Sequence, residues 1–251
     1  AFETEEFLKR VVKSKKNALL FLNKKKESGH IFCKSCKNKD FVQTQPDICP
    51  NCHSFDIFFN SLNVYSLSQT IKKIAHPYPL NLIEQKQKIL PAKNSIDIAT
   101  SFVFYSQHLK KYGLVIFTLA DSITQVVDWK AEEKLYQTII KLKSLLTQSG
   151  LLVIQTYNPQ NQTINWAAKD DYSSFYKSTI GQRKLLSYPP FSLLIKLILK
   201  GKIKEKVDSQ ANRLISKLHR TIEPSTQLLG PYASIYFSKM PTFNIIIKYK
   251  L

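Results

Sequence analysis

Four cysteines arranged as two closely spaced pairs constrain the fold of this chain more than any other feature. The pairs are Cys33-Lys-Ser-Cys36 and Cys49-Pro-Asn-Cys52, and the 251-residue sequence contains no other cysteine. A two-residue gap lets one tight turn direct both thiolates at the same ion, and the twelve residues between the pairs suffice for a returning hairpin. Four thiolates close a tetrahedral shell around Zn²⁺ and leave no position for a substrate water. The spacing therefore predicts one structural zinc ion held by all four cysteines.

Two disulfides are the alternative interpretation of the cysteine pairs. Disulfides are typical of secreted proteins, but the chain begins with the polar and acidic segment Ala1-Phe2-Glu3-Thr4-Glu5-Glu6 rather than an apolar signal segment. His30 and His53 flank the pairs, and because four thiolates already complete the shell, both histidines are predicted to be surface residues. Zinc is the favoured interpretation.

The net charge of +19 predicts attraction to a polyanion. It arises from 37 Lys and Arg residues against 18 Asp and Glu residues. Cationic side chains displace counterions from a phosphate backbone, so nucleic acid is the expected partner. Lysine-rich usage that reflects only the base composition of the genome is the alternative. Hydrophobic residues make up 43% of the chain, which is typical of globular proteins, and no apolar run reaches the roughly 20 residues of a membrane span.

Short apolar runs predict an α/β lobe of the nucleotide-binding type. Runs at 18–22, 113–120 and 151–156 fit parallel strands that are buried on both faces. A helix of about 18 residues between the last two runs is predicted by apolar residues at helical spacing, namely Leu135, Ile139, Leu142 and Leu146. A strand, a helix and a strand in this order form a right-handed crossover.

The pattern changes after about residue 157 and predicts a separate small α+β domain. A helix is expected over 166–184, a strand over 191–199, a second helix over 207–222 and a closing strand over 243–248. Within the first of these helices, Tyr172, Phe175 and Tyr176 have helical spacing and are predicted to be core residues.

Several short segments, spread over nearly the whole chain, match sequence motifs of one protein family. They are Leu20-Phe-Leu-Asn23 with Lys24-Lys25, Cys49-Pro-Asn-Cys52 with Ser54, Asp128-Trp-Lys-Ala-Glu-Glu-Lys134, Gln155-Thr-Tyr-Asn-Pro159, Asp171-Tyr172, Arg183, Tyr188-Pro-Pro-Phe-Ser192 and Gly230-Pro231. In this order they resemble the C-terminal half of the primosomal protein N′ (PriA) family of replication restart helicases. A chain that lacks an initiator Met is expected to be a portion of something longer.

The resemblance implies both the architecture and its boundaries. We expect an α/β protein whose residues 1–30 and 91–160 form a helicase-type (RecA-like) second lobe. Residues 31–59 are then an inserted zinc ribbon, residues 60–90 a connecting segment of the lobe, and residues 161–251 a small α+β C-terminal domain. Family members bind two zinc ions with eight cysteines, whereas this chain keeps the first and last pairs, which share one ion in the family.

Departures from the family's motifs indicate that ATP is not a cofactor of this chain. The family's glycine-threonine-glutamine-methionine motif falls on Ala99-Thr100-Ser101-Phe102, and the two arginines of its finger motif are replaced by Leu145 and Gln148. An arginine finger contributes about 10³- to 10⁵-fold in rate in GTPases. None of the six glycines lies in a phosphate-binding loop, and in the family that loop belongs to the other lobe.

The expected function is that of a degenerate PriA-like protein in replication restart. It binds forked or single-stranded DNA, recruits single-stranded-DNA-binding protein and primosome components, and acts in the cytoplasm on the nucleoid, without ATPase activity of its own. Candidate DNA-binding residues are Lys24, Lys25, Lys26, Arg183, Lys184 and Lys248. The alternatives are the second lobe of an active ATP-dependent 3′–5′ DNA helicase and a zinc-containing protein-interaction module without DNA binding. In the family the zinc module contacts partners and DNA, and a purely structural role is the alternative here.

Overall fold

The computed structural model of the protein describes residues 2–23, 29–42, 46–60, 63–83, 94–105, 110–124, 128–233 and 240–251. Its helices are α1 (Phe2–Lys13), α2 (Val64–Ala75), α3 (Ala131–Lys143), α4 (Gln162–Ala168), α5 (Tyr172–Leu185) and α6 (Lys204–Thr221). Its strands are β1 (Ala18–Leu22), β2 (Gly29–Cys33), β3 (Lys39–Val42), β4 (Ile57–Asn60), β5 (Leu80–Ile83), β6 (Ile96–Ala99), β7 (Tyr112–Thr118), β8 (Leu146–Ile154), β9 (Ser192–Lys200), β10 (Gln227–Ala233) and β11 (Thr242–Lys250). The chain divides into two compact units, Ala1–Tyr172 and Ser173–Leu251. None of the helices that the structure describes combines the length and apolar composition needed to cross a bilayer.

The first unit is built on a parallel sheet of five strands in the order β5-β6-β1-β7-β8. The central strand β1 is buried along its whole length, as its uninterrupted apolar sequence predicts for a strand covered on both faces. Apolar residues of α1 and α2 pack against one face and include Leu8 and Ile71. On β1, the Phe21 ring contacts the Phe117 ring of β7 with centroids 5.3 Å apart. The predicted α/β class is confirmed.

A smaller antiparallel sheet of three strands occupies the connection between β1 and α2. Its order is β3-β2-β4, and β2 is the central strand. All four cysteines lie in this segment, which we call the cysteine module (residues 29–60). The segment after it, predicted to be a connection, supplies both α2 and β5, and β5 pairs with β6 at the edge of the parallel sheet.

The predicted helix of about 18 residues that includes Leu146 is wrong at its C-terminus. Helix α3 ends at Lys143, and Leu146 is already the first residue of β8. The Leu145 N–H bonds to the Leu142 carbonyl in a tight last turn, and the Leu145 carbonyl then accepts from the N–H of Tyr112 at the start of β7. Pairing with β7 therefore ends the helix, and no Gly or Pro marks this end in the sequence. The prediction extended the helix because residues 142 and 146 fit one apolar helical face.

The single helix predicted over 166–184 is two helices, α4 and α5. The break contains Asp170, whose φ of 58° is left-handed and cannot continue a right-handed helix. The Lys143 ammonium bonds to the Asp170 carboxylate at 2.6 Å and to the carbonyl of Ala167 near the end of α4 at 3.2 Å. A cation at a helix C-terminus offsets the negative end of the dipole, so this contact from α3 stabilises the end of α4.

The second unit is an antiparallel sheet of three strands, in the order β10-β11-β9, with α6 packed on one face. Val207 and Ala211 of α6 form a core with Phe243 of β11. A bulge in β10 contains Gly230, whose φ is +107° and whose missing Cβ would lie 2.6 Å from the Asn244 carbonyl oxygen. Only glycine fits there, and the small α+β fold predicted from the sequence is present.

A buried polar cluster lies at the amino end of the parallel sheet. The Asp97 carboxylate of β6 is fully buried. It accepts hydrogen bonds from the Ser95 hydroxyl at 2.9 Å, the Asn81 amide at 2.8 Å and the Tyr112 hydroxyl at 2.8 Å. The Lys110 ammonium, whose side chain is only 7% exposed, lies 3.4 Å from the same carboxylate. Burial, reinforced by the negative charge of Asp97, raises the pKa of Tyr112 well above its usual value.

The raised pKa of Tyr112 makes the first unit sensitive to alkali. The unfolded chain releases the phenolic proton near pH 10 while the folded chain keeps it, so the contribution to stability is complete below about pH 10 and is lost as pH rises further. We expect the free energy of unfolding to fall with pH above about 10. Urea titrations followed by the fluorescence of Trp129 and Trp166, which both lie in the first unit, measure this slope.

Matched variants isolate the contribution of this one phenol. Tyr112→Phe removes the titrating group, so its alkaline slope is expected to be shallower than that of the unaltered protein. Tyr65→Phe alters an exposed tyrosine on α2 and is expected to keep the full slope. Equal slopes for the Tyr112→Phe variant and the unaltered protein would contradict the assignment.

Candidate metal centre and nucleic-acid interface

The four cysteine sulfurs converge at one end of the cysteine module. All four Sγ atoms lie within 4.8 Å of one another. Two close approaches join one pair to the other, with 3.6 Å between the sulfurs of Cys33 and Cys52 and 3.7 Å between those of Cys36 and Cys49. All four are free cysteines, and these separations far exceed the length of a disulfide bond.

The separations match the edges of a metal-centred tetrahedron. A zinc–sulfur bond of about 2.3 Å places tetrahedral sulfurs about 3.8 Å apart, close to the two measured separations of 3.6 and 3.7 Å. Cys33 and Cys49 are buried, whereas Cys52 is exposed. The donor set therefore fits a soft tetrahedral cation, and its geometry is compatible with a structural zinc ion.

The two cysteine pairs lie in turns of the same backbone form. In the first turn the N–H of Cys33 donates to the carbonyl of Asn38 at 2.9 Å, and in the second the N–H of Cys49 donates to the carbonyl of Ser54 at 2.8 Å. Both bonds join a residue to the fifth residue after it. Two unlike sequences thus adopt one turn, and each turn delivers two sulfurs to the cluster.

A left-handed residue follows the second cysteine of each pair. Lys37 has φ 60° and His53 has φ 58°. A non-glycine residue in this region costs about 1 to 3 kcal/mol, and such strain is concentrated at functional sites. Its repetition at both turns indicates that the arrangement of the sulfurs outweighs the local backbone preference. His53 is exposed, as predicted, and the side chain of His30 lies outside the described residues.

Hydrogen-bond donors favour the thiolate form of the first pair. The Asn51 amide donates to the Cys36 sulfur at 3.5 Å. This bond, together with the backbone N–H of Asn38, lowers the pKa of Cys36 to about 6. The backbone N–H of Cys36 is the main cause of the lowered pKa of Cys33. Hydrogen bonds to the sulfurs orient metal ligands and tune their charge.

Cys52 shows the opposite tendency, although the backbone N–H of Ser54 favours its thiolate. The neighbouring sulfurs, Cys36 first among them, raise the pKa of Cys52 to about 12, with a smaller contribution than that of Cys36 from desolvation of the sulfur. Negative charges this close repel one another, so a divalent cation is what allows all four cysteines to be thiolates. The chemistry available to this cluster is cation binding that holds the module together.

The candidate DNA-binding residues are distributed unequally between described and undescribed parts of the chain. Lys24, Lys25 and Lys26 lie outside the described residues. Arg183 and Lys184 lie in the last turn of α5; Arg183 is half-buried, and Lys184 is exposed. They therefore differ in how readily they reach a ligand.

Lys248 is engaged within its own unit. Its ammonium bonds to the carbonyl of Leu186, just beyond α5, and lies 4.5 Å from the centre of the Tyr188 ring. These contacts place Lys248 on the same corner of the second unit as the end of α5. Of the candidates that the structure describes, Lys184 offers the most accessible charge.

The positive charge is concentrated in the second unit. Its 79 residues contain 14 Lys and Arg against 3 Asp and Glu, a net charge of +11. The first unit, with 172 residues, has 23 against 15, a net charge of +8. The sequence alone contained this asymmetry, but the boundary at Tyr172 was needed to recognise it.

The aromatic core predicted on α5 is only partly correct. Phe175 is buried, whereas Tyr172 and Tyr176 are 59% and 50% exposed. Trp129, in the segment that resembles the family motif at 128–134, is half-buried, with the Lys130 ammonium 4.8 Å from its ring centre. Sequence reasoning assigned no role to Asn51, since an asparagine between two cysteines carries no signal until its contact with a sulfur is known.

Two positions that the family resemblance aligns with arginines carry no cation. Leu145 is 2% exposed and packs in the first unit, while Gln148 is exposed on β8.

At the carboxyl end of β7, the Asp121 carboxylate accepts from the Thr156 hydroxyl at 2.8 Å and from the Tyr157 N–H at 2.9 Å. These bonds tie the segments that follow β7 and β8 to each other.

Comparison with known proteins gives one consistent result. The chain is 24% identical to the replication restart protein PriA of Borreliella burgdorferi, over 95% of this chain and 42% of that protein. It is 23% identical to the protein of the same name from Bacillus subtilis, over 99% of this chain and 36% of that protein. With the Chlamydia muridarum protein the identity is 31%, over 55% of this chain and 19% of the relative. The chain thus spans less than half the length of these relatives. No family model matches it.

Proposed function

This chain is a PriA-like homologue of the C-terminal region of replication restart proteins, and from that premise we propose that it acts in replication restart. It binds forked or single-stranded DNA through its positive charge and recruits partner proteins, single-stranded-DNA-binding protein and primosome components among them. It does so in the cytoplasm on nucleoid DNA, and without hydrolysing ATP by itself. The concentration of charge in the second unit is the observation that carries the DNA-binding part of this proposal.

Each part of the fold is assigned to one of the predicted domains. The parallel sheet with helices on both faces is assigned as the helicase-type (RecA-like) second lobe, formed by residues 1–30 and 91–160 together with the connecting segment 60–90. The cysteine module, predicted over 31–59, is assigned as a zinc ribbon inserted into that lobe. Residues 161–251 are proposed as the small C-terminal region, of which Ser173–Leu251 forms the second compact unit.

Zinc is the proposed metal of the cysteine module, with Cys33, Cys36, Cys49 and Cys52 as its ligands. A shell of four sulfurs stabilises the fold and offers no open position for chemistry. The two matching turns orient the sulfurs, and the Asn51 amide donates a hydrogen bond to the Cys36 sulfur. The module is thus proposed as a rigid, non-catalytic attachment.

The absence of ATP hydrolysis is proposed from the environment of two positions. A finger arginine must reach the phosphate of a nucleotide to offset its developing charge. Leu145 is apolar and buried, and Gln148 is neutral. Because the surroundings of residue 145 are a packed core, even an arginine placed there would be buried rather than presented to a ligand.

Binding to forked DNA is expected to weaken steeply with salt. Each phosphate contact contributes about 0.9 to the slope of log K against log salt concentration on duplex DNA. With about six or more contacts, the affinity falls by about 10³-fold or more between 50 and 200 mM salt. Fluorescence anisotropy of a labelled fork with the full chain measures this. The Lys184→Gln variant is expected to reduce the slope by about 0.9 if Lys184 neutralises one phosphate.

A matched lysine in helix α1 of the first unit serves as the control. Lys9 is exposed and paired with Glu5 at 2.6 Å, so Lys9→Gln is expected to leave the slope unchanged. A slope near zero, or an equal effect of the two variants, contradicts the assignment of binding to the second unit. Rapid DNA-stimulated ATP turnover by the same preparation favours the helicase alternative, and partner capture that survives nuclease without any DNA binding favours the interaction module.

A further inference from the structure

One face of the cysteine module's sheet presents aromatic rings and lysines together. In this antiparallel sheet, Phe32 of β2 lies opposite Lys39 of β3 and opposite Phe58 of β4. Residues directly opposite each other project from the same face of a sheet. The three side chains therefore share one surface, and Lys37 of the adjoining turn borders it. We call this surface, formed by Phe32, Lys37, Lys39 and Phe58, the aromatic face.

The aromatic face is not needed for the core of the module. Phe58 is 59% exposed, and Phe32 is half-buried. The alternate residue Ile31, which projects to the opposite face of β2, is fully buried. Burial thus accounts for one face of the sheet only, and the two rings of the other face remain accessible.

Positive charge is arranged around the rings. The ammonium groups of Lys37 and Lys39 each lie 5.9 Å from the centre of the Phe32 ring. Both lysines are exposed, and no carboxylate of the described residues forms an ion pair with either. The nearby Asp56 is paired with Lys34 at 3.5 Å, and Asp40 lies opposite Ile31, on the other face.

We infer that the aromatic face is a stacking platform for the bases of single-stranded DNA. Flat rings accept any base by stacking, while flanking cations contact the phosphates on either side. Paired bases in a duplex are already stacked and enclosed by the backbone, so the face suits unpaired bases. This inference rests on the proposed function and deepens it, since it gives the module a ligand that the charge of the second unit does not specify.

The charge pattern also distinguishes this occupant from an acidic peptide. Carboxylates would engage Lys37 and Lys39 but would leave the exposed Phe58 ring without a planar partner. A base with its phosphate satisfies both kinds of group at once. Single-stranded DNA is therefore the occupant that uses the whole face, and an acidic peptide is an outcome that the test separates.

The test uses the zinc-loaded full chain and a single-stranded oligothymidylate that contains one 2-aminopurine. Stacking on the platform is expected to change the 2-aminopurine fluorescence. Base–aromatic stacking contributes about 1 to 3 kcal/mol per base by alanine substitution, so Phe58→Ala is expected to weaken binding by about 5- to 150-fold and to abolish the fluorescence change. Phe58→Trp, which keeps a planar ring, is expected to retain both.

Charge variants test the flanking lysines. Single strands contribute about 0.7 to the salt slope per neutralised phosphate, so the double variant Lys37→Gln with Lys39→Gln is expected to reduce the slope by about 1.4. Lys34→Gln, in the same module but already paired with Asp56, is the matched control and is expected to leave the slope unchanged. Tyr65→Ala removes a ring on α2 that is 69% exposed, against 59% for Phe58, and is expected to leave affinity unchanged.

The outcomes separate this inference from the proposed function. If the unaltered chain binds no DNA, the proposed function fails. If it binds but Phe58→Ala, with an unchanged zinc content, binds equally well, only the stacking platform is overturned. If polyglutamate with the same number of charges displaces the oligonucleotide equally well and Phe58→Ala affects both alike, the face is a docking surface for acidic protein segments and the inference is likewise overturned.

Discussion

Replacing Cys49 with serine is expected to eliminate zinc binding and to unfold the cysteine module. A serine hydroxyl is a poor ligand for Zn²⁺ at neutral pH, and the remaining three sulfurs leave an open, weaker site. Structural zinc sites contribute about 10 to 16 kcal/mol of apparent binding free energy in small domains, and that binding is coupled to folding. Cys49 is fully buried beside the Cys36 sulfur, so no water replaces its contact without distortion.

Metal analysis after dialysis against a mild chelator measures the first effect. We expect about one zinc ion per unaltered chain, as for other four-cysteine sites, and a small fraction of that for Cys49→Ser. Hydrogen exchange measures the second effect, because the amides of β2 should lose their protection. The parallel sheet has its own core of residues from α1, α2 and the strands, so its amides are expected to stay protected.

His53→Asn is the matched control for the metal site. His53 is exposed and follows Cys52 directly, in a left-handed conformation that asparagine also tolerates. Its zinc content is expected to equal that of the unaltered chain. Loss of zinc from this variant, or full zinc content in Cys49→Ser, would show that the four sulfurs are not the ligand set.

The convergence of the four sulfurs could be predicted from sequence because it depends on local spacing. Each pair is brought together by one turn, and only the return of the second pair is a non-local event. Strand β1 was equally predictable, since an uninterrupted apolar run such as Ala18–Leu22 is stable only where both faces are covered. In both cases one physical requirement dominates the choice of structure.

Prediction failed where two requirements favoured different structures. Leu146 continues an apolar helical stripe but is taken by the β7 pairing, and the break at Asp170 is stabilised by Lys143, a residue 27 positions earlier. The aromatic face also could not be predicted from the sequence, because Phe32 and Phe58 become neighbours only through the register of β2 and β4. Non-local pairing of this kind leaves no periodic signal in the sequence.

The buried pair of Asp97 and Lys110 is expected to be the most sensitive point of the first unit. Removing one member of a buried ion pair leaves an uncompensated charge and costs about 3 to 5 kcal/mol. Lys110→Met removes the cation from a carboxylate that is fully buried, and the three hydrogen bonds that remain do not supply a positive charge. Asp97→Asn leaves the ammonium, itself almost completely buried, without its partner.

Urea unfolding followed by tryptophan fluorescence measures both variants. The only two tryptophans, Trp129 and Trp166, belong to the first unit, so the signal reports that unit alone. Combining Asp97→Asn with Lys110→Met removes both charges and keeps an acceptor for the Tyr112 hydroxyl. The double variant is therefore expected to be destabilised by less than the sum of the single variants, with a coupling of about 2 kcal/mol or more.

An exposed ion pair serves as the comparison that shows whether burial strengthens the interaction of Asp97 with Lys110. The Lys134 ammonium bonds to the Asp128 carboxylate, and its side chain is 56% exposed. Solvent screens such a pair, so Lys134→Met is expected to cost no more than about 1 kcal/mol. If Lys110→Met costs no more than Lys134→Met, burial does not amplify the Asp97 interaction, and the amino end of the parallel sheet is held by its hydrogen bonds and apolar packing alone.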